Sequence, residues 1–381
     1  MMSRYFSPKD YGASTQNWAI AQDKRGVLYF GNASGILEFD GESWRLIQVP
    51  NKSTVRCLAF DGNGTLYAGA FNEMGYLNPD GTGNLRYTSL LNLIDSTYSD
   101  FGEVWDLHCF SDTAFFLTDK YIFRYQNGKF DYWKSETDRY YLSHNINHTY
   151  YVQEMGKGLM KLSHDEFQLI ENGGFFSKIR IHSILPMGNN LLIGTRNDGL
   201  FMYNNNTKTV QSISKLSPQA RKINKYFIDN SFYHGIELND NHYAFASILG
   251  DILILDSSWN VVDVIDENSI GIKSTTLSMH YHKNHSLWLA LGNGISQVEV
   301  FSHYRYWNEG LGMSGVITDV ARLRGITYVS SGTGIFYSDP TSADEFSPTA
   351  FKPVEGAFEQ AWGFLYFKPY GQARTAFKQS L

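Results

Sequence analysis

Short apolar runs separated by polar or glycine turns recur along this chain in a fixed order: an apolar strand, a polar or Gly turn, an aromatic-rich strand, a Gly turn, then a third strand. VLYFGNASGILEFDG from Val27, LLIGTRNDGLFMYNN from Leu191, SLWLALGNGISQVEV from Ser286 and ITYVSSGTGIFYSDP from Ile326 are the clearest copies. TLYAGAFNEMGYLNPDG, FFLTDKYIFRYQNG, YYVQEMGKGLMKLS and YAFASILGDILILDS are weaker ones, for eight in all. Runs of this length bounded by turn residues predict strands rather than helices.

Taking Tyr29, Tyr67, Phe116, Tyr151, Leu192, Tyr243, Trp288 and Tyr328 as anchors of the second strands, the intervals are 38, 49, 35, 41, 51, 45 and 40. Propeller blades have periods of roughly 40–50 residues. Another apolar strand precedes each anchor (NWAIAQD, VRCLAFD, VWDLHCF, IHSILPM), with Asp23 and Gly26, or Asp61 and Gly64, turning it into the next. A fourth strand follows the third through Asp40-Gly41 or Asn127-Gly128, pairs that accept the positive φ of tight hairpin turns. Such a four-stranded unit cannot bury both of its faces alone, so the units must pack face to face around an axis.

The expectation is an all-β chain, a β-propeller of four-stranded blades. Residues 1–314 would form a first, seven-bladed propeller and residues 315–381 an extra blade that begins a second; a single eight-bladed ring is the alternative. Two long intervals mark insertions, at 90–103 and at 212–235, where Ser217-Pro218 predicts a helix start. AWGFLYF, from Ala361, reads as the first strand of a ninth unit with no credible second strand after it, so the sequence reads as a piece of something longer.

Composition fits this picture: aromatic residues make up 15% of the 381, charged residues 18%, and there are 34 glycines. A net charge of -6 without a basic block removes the footprint that nucleic acid requires. The two cysteines, Cys57 and Cys109, lie in apolar runs and read as small hydrophobes. MMSRYFSPKDYG has no apolar leader segment, and no run approaches the ~18 apolar residues of a membrane span, so the polypeptide is expected to be soluble.

Catalytic and cofactor signatures are missing: no HExxH, CxxC, GxSxG, P-loop or helix-opening GxGxxG occurs. The reading is therefore no enzyme, no cofactor and no metal. His280, His282 and His285 resemble a metal cluster only superficially, and they read as strand and turn residues because no carboxylate is interleaved among them. Asp106 and His108 alternate on one strand and read as a structural pair rather than an acid–base dyad. The recurring aromatic anchors read as packing between blades.

In a propeller the loop before the first strand and the loop between the second and third open on the same face, above the axial channel. Polar residues that break the repeat there are the candidate ligand contacts: Arg196 and Asn197 first, then Glu73, Asn72, Arg56, Trp105, Asp119, Glu154 and His182. Arg196 and Asn197 stand where matching turns carry Ala33 and Ser34, or Gly292 and Asn293.

FSPKDYGASTQNWAIAQDKRGVLYFGNASGILEFDGESW from Phe6 and HGIELNDNHYAFASILGDILILDS from His234 resemble the two-component regulator propeller repeats of large bacterial periplasmic sensors, of the type whose propellers precede a triple-tyrosine-motif domain. That resemblance covers the chain up to about Gly356. It implies the ligand-sensing, periplasmic propeller of a two-component or one-component receptor, taking a small molecule or an oligosaccharide, with a homodimer forming through the full-length receptor. The alternatives are a propeller enzyme of the lyase or lactonase type and a protein-interaction scaffold.

Overall fold

In the computed structural model, which describes residues 2–381 apart from 138, 240, 249–250, 268–272, 283–284, 303–311, 340–345, 347–349, 368–373 and 380–381, regular structure is almost entirely β. The described strands make eight four-stranded antiparallel sheets and one hairpin. The first six sheets each use consecutive strands, within residues 17–47, 55–89, 104–134, 140–169, 181–212 and 232–265. The seventh takes three strands from 276–299, and its fourth is Ser3–Phe6. That strand pairs antiparallel with Ile295–Glu299, from Ser3 opposite Val298 to Phe6 opposite Ile295. Nothing in the repeat pattern announces Ser3–Phe6, because it is short and stands 292 residues from its partner (Ser3 to Ile295).

The eighth sheet lies within 317–353, and Ala361–Phe367 pairs with Arg374–Gln379 after it. This second strand corrects the sequence expectation. The segment is too polar to read as a buried strand, but a hairpin partner needs only its backbone groups for pairing.

The turn chemistry explains the hairpins. Asp23 Oδ1 accepts from the amides of Arg25 and Val27 at 2.8 and 3.0 Å, with Gly26 at φ 95°, and Asp61 repeats the arrangement on Asn63 and Thr65 with Gly64 at φ 89°. An aspartate that satisfies two turn amides followed by a residue free to take positive φ fixes the register of both strands.

The innermost strands touch in sequence: Asn17–Gln22 on Val55–Phe60, then Val104–Phe110, Tyr140–Ile146, Ile181–Met187, Phe232–Glu237 and Thr276–His282, which in turn contacts Asn17–Gln22. Close approach explains two glycines. A Cβ on Gly69 would lie 2.5 Å from Val104 Cγ1, and one on Gly194 would lie 2.3 Å from Phe232 Cε1, so the next sheet's innermost strand fits only against bare backbone. Aromatic rings fill the seams: Tyr67 meets Phe116 at 6.2 Å, and Phe6 lies 5.8 Å from Trp288 and 5.4 Å from both Phe39 and Trp44. Asn17, fully buried, donates to the Gly294 carbonyl at 2.9 Å and accepts from Asn32 at 2.8 Å, linking the first and seventh sheets.

Six of the eight anchors, Tyr29, Tyr67, Tyr151, Leu192, Trp288 and Tyr328, pair with the residue four places after the start of their innermost strand. Phe116 and Tyr243 are one place out of that register, opposite Leu107 and Glu237, and so present the other face of their sheets.

The insertion before the sixth sheet carries the helix Pro218–Asn230, with Ser217 Oγ capping the Ala220 amide at 3.0 Å. Its buried face is Ala220, Ile223, Asn224 and Phe227, and Asn224 Oδ1 accepts from the Leu200 amide at 2.8 Å. Both cysteines are free thiols.

Candidate functional site

Each innermost strand is irregular at one place, between its first and third residues, where the pairing skips a position. Such a bulge leaves one residue unpaired and re-aims its side chain. The bulged residues of the first seven sheets are Trp18, Arg56, Trp105, Tyr141, His182, Tyr233 and Leu277. All but Tyr141 line one cavity of about 270 Å³, and Tyr141 is tied to it by donating its hydroxyl to His182 Nε2 at 2.9 Å. One local backbone device thus gathers seven sheets' side chains at one place.

Arg56 is held from three directions. Its guanidinium carbon sits 3.9 Å from the centroid of Trp18 and 5.2 Å from that of Trp105, while Glu103 accepts from Nε at 3.3 Å and from Nη2 at 3.4 Å. A delocalised cation stacks on indole faces far better than an ammonium would. The result is a rigid aromatic wall whose charge is already balanced.

His182 is oriented on both nitrogens. Nδ1 donates to the Tyr233 carbonyl at 3.2 Å, which leaves Nε2 as the acceptor for Tyr141. Burial, assisted by the Arg196 charge, pushes its pKa down to about 4, so the ring is neutral at physiological pH. Burial does the same to His234, also to about 4, and drives His144 well below the ordinary histidine range. His234 Nδ1 and Trp18 Nε1 are buried without a hydrogen-bond partner, and both residues line the cavity.

Asp106 and His108 knit the third sheet to the fourth. Asp106 Oδ2 accepts from the Ser143 amide at 2.9 Å, and His108 Nε2 donates to the Ser143 carbonyl at 3.0 Å. Burial raises the pKa of Asp106 against the opposing pull of His108. His280 and His282 both turn to Gln22 Oε1, at 3.3 and 2.5 Å, and His285 Nδ1 meets the Tyr281 hydroxyl at 3.1 Å. Among the described residues no group of three His, Cys, Asp or Glu side chains is arranged to hold a metal ion.

Of the sequence-selected residues, Arg56, Trp105 and His182 come together on the cavity, and Arg196 stands beside them, its charge felt by Tyr141, His182 and Tyr233. The others lie in turns or, for Glu73 and Glu154, at strand ends. Asn72, at φ 46°, donates to Asp100 Oδ1 at 3.0 Å and accepts from the Gly102 amide at 2.6 Å, pinning the 90–103 insertion. Glu73 is buried and accepts from Ser89 Oγ at 2.7 Å and Tyr87 Oη at 3.3 Å. Glu154 is also buried: desolvation works against its charge, but hydrogen bonds from Ser135 and Thr137 and the Lys157 cation outweigh it and hold its pKa down. Asp119 is exposed and takes part through its carbonyl, which accepts from the Tyr140 amide at 2.7 Å, and Asn197 Oδ1 accepts from Ser231 Oγ at 3.2 Å. The sequence reasoning missed Trp18, Tyr141, Tyr233 and Leu277. They occupy the same place in their units as Arg56, Trp105 and His182, so the repeat itself held the signal.

No family model matches the sequence, and no curated protein matches it. Among solved structures, the extracellular domain assigned to a hybrid two-component system of B. thetaiotaomicron is similar over 100% of this chain and 53% of its own, with a TM-score of 0.68 and 16% identity. A second, assigned to a one-component system of the same organism, is similar over 98% of this chain and 50% of its own, with a TM-score of 0.60 and 16% identity. This chain is a β-propeller. Virginiamycin B lyase from Staphylococcus aureus shares the fold over 78% of this chain and 98% of its own, at a TM-score of 0.58 and 11% identity. The chain thus spans about half the length of the receptor domains it resembles.

Proposed function

We propose that this chain is the ligand-sensing part of a bacterial signal-transduction receptor, facing the periplasm, and that it binds its ligand without transforming it. The observation that carries the reading is the bulge-built cavity, in which seven sheets converge an aromatic wall, a neutral histidine and two unpartnered buried donor or acceptor atoms. Apolar walls with a few convergent polar groups are what small-ligand sites require. The likeness to receptor extracellular domains over nearly the whole chain supports the same conclusion, whereas the lyase likeness stops at 78%. In this reading the first seven sheets form one propeller ring, closed by Ser3–Phe6, and the eighth sheet begins another. Arg56, Trp105, His182 and Arg196 contact the ligand; Asn72, Glu73, Asp119, Glu154 and Asn197 shape the surrounding turns. A homodimer would form through the complete receptor.

The test is a thermal-shift screen of the full chain against small molecules and oligosaccharides, repeated with Trp18→Ala/Trp105→Ala. A compound that raises the melting temperature of the parent and not of the variant, and is recovered unchanged after incubation, supports the reading. Recovery of a cleaved or rearranged compound would establish an enzyme instead.

A further inference from the structure

Beside the cavity, beyond His182 and its partner Tyr141, lie arginines with no acidic partner among the described residues. Burial raises the pKa of the Tyr141 hydroxyl, and the charges of Arg180, Arg196 and Arg139 oppose that rise, so all three act on this site. The Arg180 guanidinium carbon lies 5.7 Å from the Tyr141 ring centroid, and the Arg196 amide donates to the Arg180 carbonyl at 3.0 Å, which brings the two residues' backbones together. No carboxylate forms an ion pair with any of the three among the described residues, whereas Arg25, Arg45, Arg56, Arg86 and Arg124 are all paired. Arg56, on the opposite wall, is neutralised by Glu103. The site is therefore polarised: the cavity has an aromatic, balanced wall at Arg56, and a cationic edge lies beside it past Tyr141.

Next to the cationic edge the histidine is neutral and does not compete with an anion for the arginines. His182 is kept uncharged by its burial and by Arg196, and its two nitrogens are occupied by Tyr141 and the Tyr233 carbonyl. An acidic side chain here would have quenched the arginines; none is present among the residues that line the cavity except Asp106, which is buried against Ser143.

We propose that this edge binds the oxyanion of a small ligand, a carboxylate, sulfate or phosphate group, through Arg180 and Arg196 with Arg139 at the rim, while the body of the ligand enters the cavity between Tyr233 and Trp105. Guanidinium forks match such oxyanions in geometry as well as charge. A volume of about 270 Å³ admits one ring-sized unit. The assignment rests on the ligand-binding reading above and narrows it to an anionic class.

Isothermal titration of the full chain at low salt with glucuronate, inorganic sulfate and glucose tests it. Glucuronate and sulfate should bind, glucose at least about tenfold more weakly, and raising the salt should weaken the anions because exposed charge is screened. Arg180→Gln/Arg196→Gln should cost glucuronate about tenfold or more, Arg180→Lys/Arg196→Lys less, and Arg221→Gln, on the distant helix face, nothing. Melting temperatures of all variants check that the fold survives. Equal binding of glucuronate and glucose, unchanged in the double Gln variant, would overturn the anion assignment and leave ligand binding standing. Absence of heat with glucuronate and sulfate, alongside a screening hit that needs Trp18 and Trp105 and is uncharged, would do the same. Absence of any hit in either experiment would remove both readings.

Discussion

The first seven sheets and the eighth share one strand pattern and one bulge, yet they bury it differently. In the first seven, the opening residues of the innermost strands, Asn17, Val55, Val104, Tyr140, Ile181, Phe232 and Thr276, are at most 3% exposed. Ile317, in the same place in the eighth, is 42% exposed, and Val320, three residues on, is 59% exposed where Leu58, Ile184 and Met279 are buried. The eighth strand is no less apolar. Among the described residues no other sheet packs closely on one of its sides; on its other side Thr318 Oγ1 donates to the Ala361 carbonyl at 2.6 Å and Asp319 accepts from the Phe364 amide at 2.9 Å. Burial in this architecture comes from the adjoining sheet, so a single sheet gains little by itself.

The comparison is most easily broken by removing the strand that completes the seventh sheet. Deleting residues 1–6 should strip the edge of Ile295–Glu299 and empty the Phe6 position between Trp288 and Trp44; loss of the buried Phe6 alone is expected to cost about 3–5 kcal/mol. Deleting residues 315–381 should instead leave a single cooperative transition in urea. If the two deletions destabilise equally, the eighth sheet is as integral as the seventh and the contrast fails.

Point substitutions sharpen it. Leu289→Ala, in a side chain with no exposure, should cost about 2–5 kcal/mol in denaturant titration, and Val320→Ala in the eighth sheet no more than about 0.5 kcal/mol. A large effect at Val320 would mean that its exposed face is covered in solution.

The smallest expected difference between the two regions is in acid. His144, His182, His234 and His280 all belong to the first seven sheets, and burial lowers the pKa of each in the folded chain, to about 4 for the last three. Unfolded histidine takes up its proton near 6.5, so the stabilisation from keeping these rings neutral is complete above that pH and is lost as pH falls from about 6.5 towards 4. Urea midpoints measured across this window should fall for the chain shortened at residue 315 as much as for the whole. His182→Gln, which can still bond to Tyr141, should flatten the slope slightly.

The repeat and its turns were legible because each rests on local chemistry: Asp23 with Gly26, Asp61 with Gly64, and Ser217-Pro218 at the helix start all sit where the residues foretold. Non-local features were not. Ser3–Phe6 is a strand only because Ile295–Glu299 offers it an edge, and the one-residue offsets of Phe116 and Tyr243 come from how adjoining sheets interlock. The candidate site was half legible for the same reason. Arg56, Trp105 and His182 stood out as polar or aromatic interruptions, but Trp18 and Tyr233 look like ordinary strand aromatics until the bulge turns them into the cavity, as does Tyr141 until it is seen to hold His182.

The pairing of Ser3 with Val298 also governs the order of events in time. During synthesis the segment Ser3–Phe6 is made well before its partner and must wait, unpaired, until Ile295–Glu299 has left the ribosome, while the intervening sheets can each form from contacts among near neighbours in the chain. Joining strands this far apart is entropically slow, so this one seam is expected to be the last to form in refolding and the rate-limiting step. Opposed to that delay is a kinetic benefit: a clasp made late restrains escape from the native state more than it speeds arrival, and a chain whose Ser3–Phe6 segment is occupied by another molecule would keep the edge of Ile295–Glu299 open.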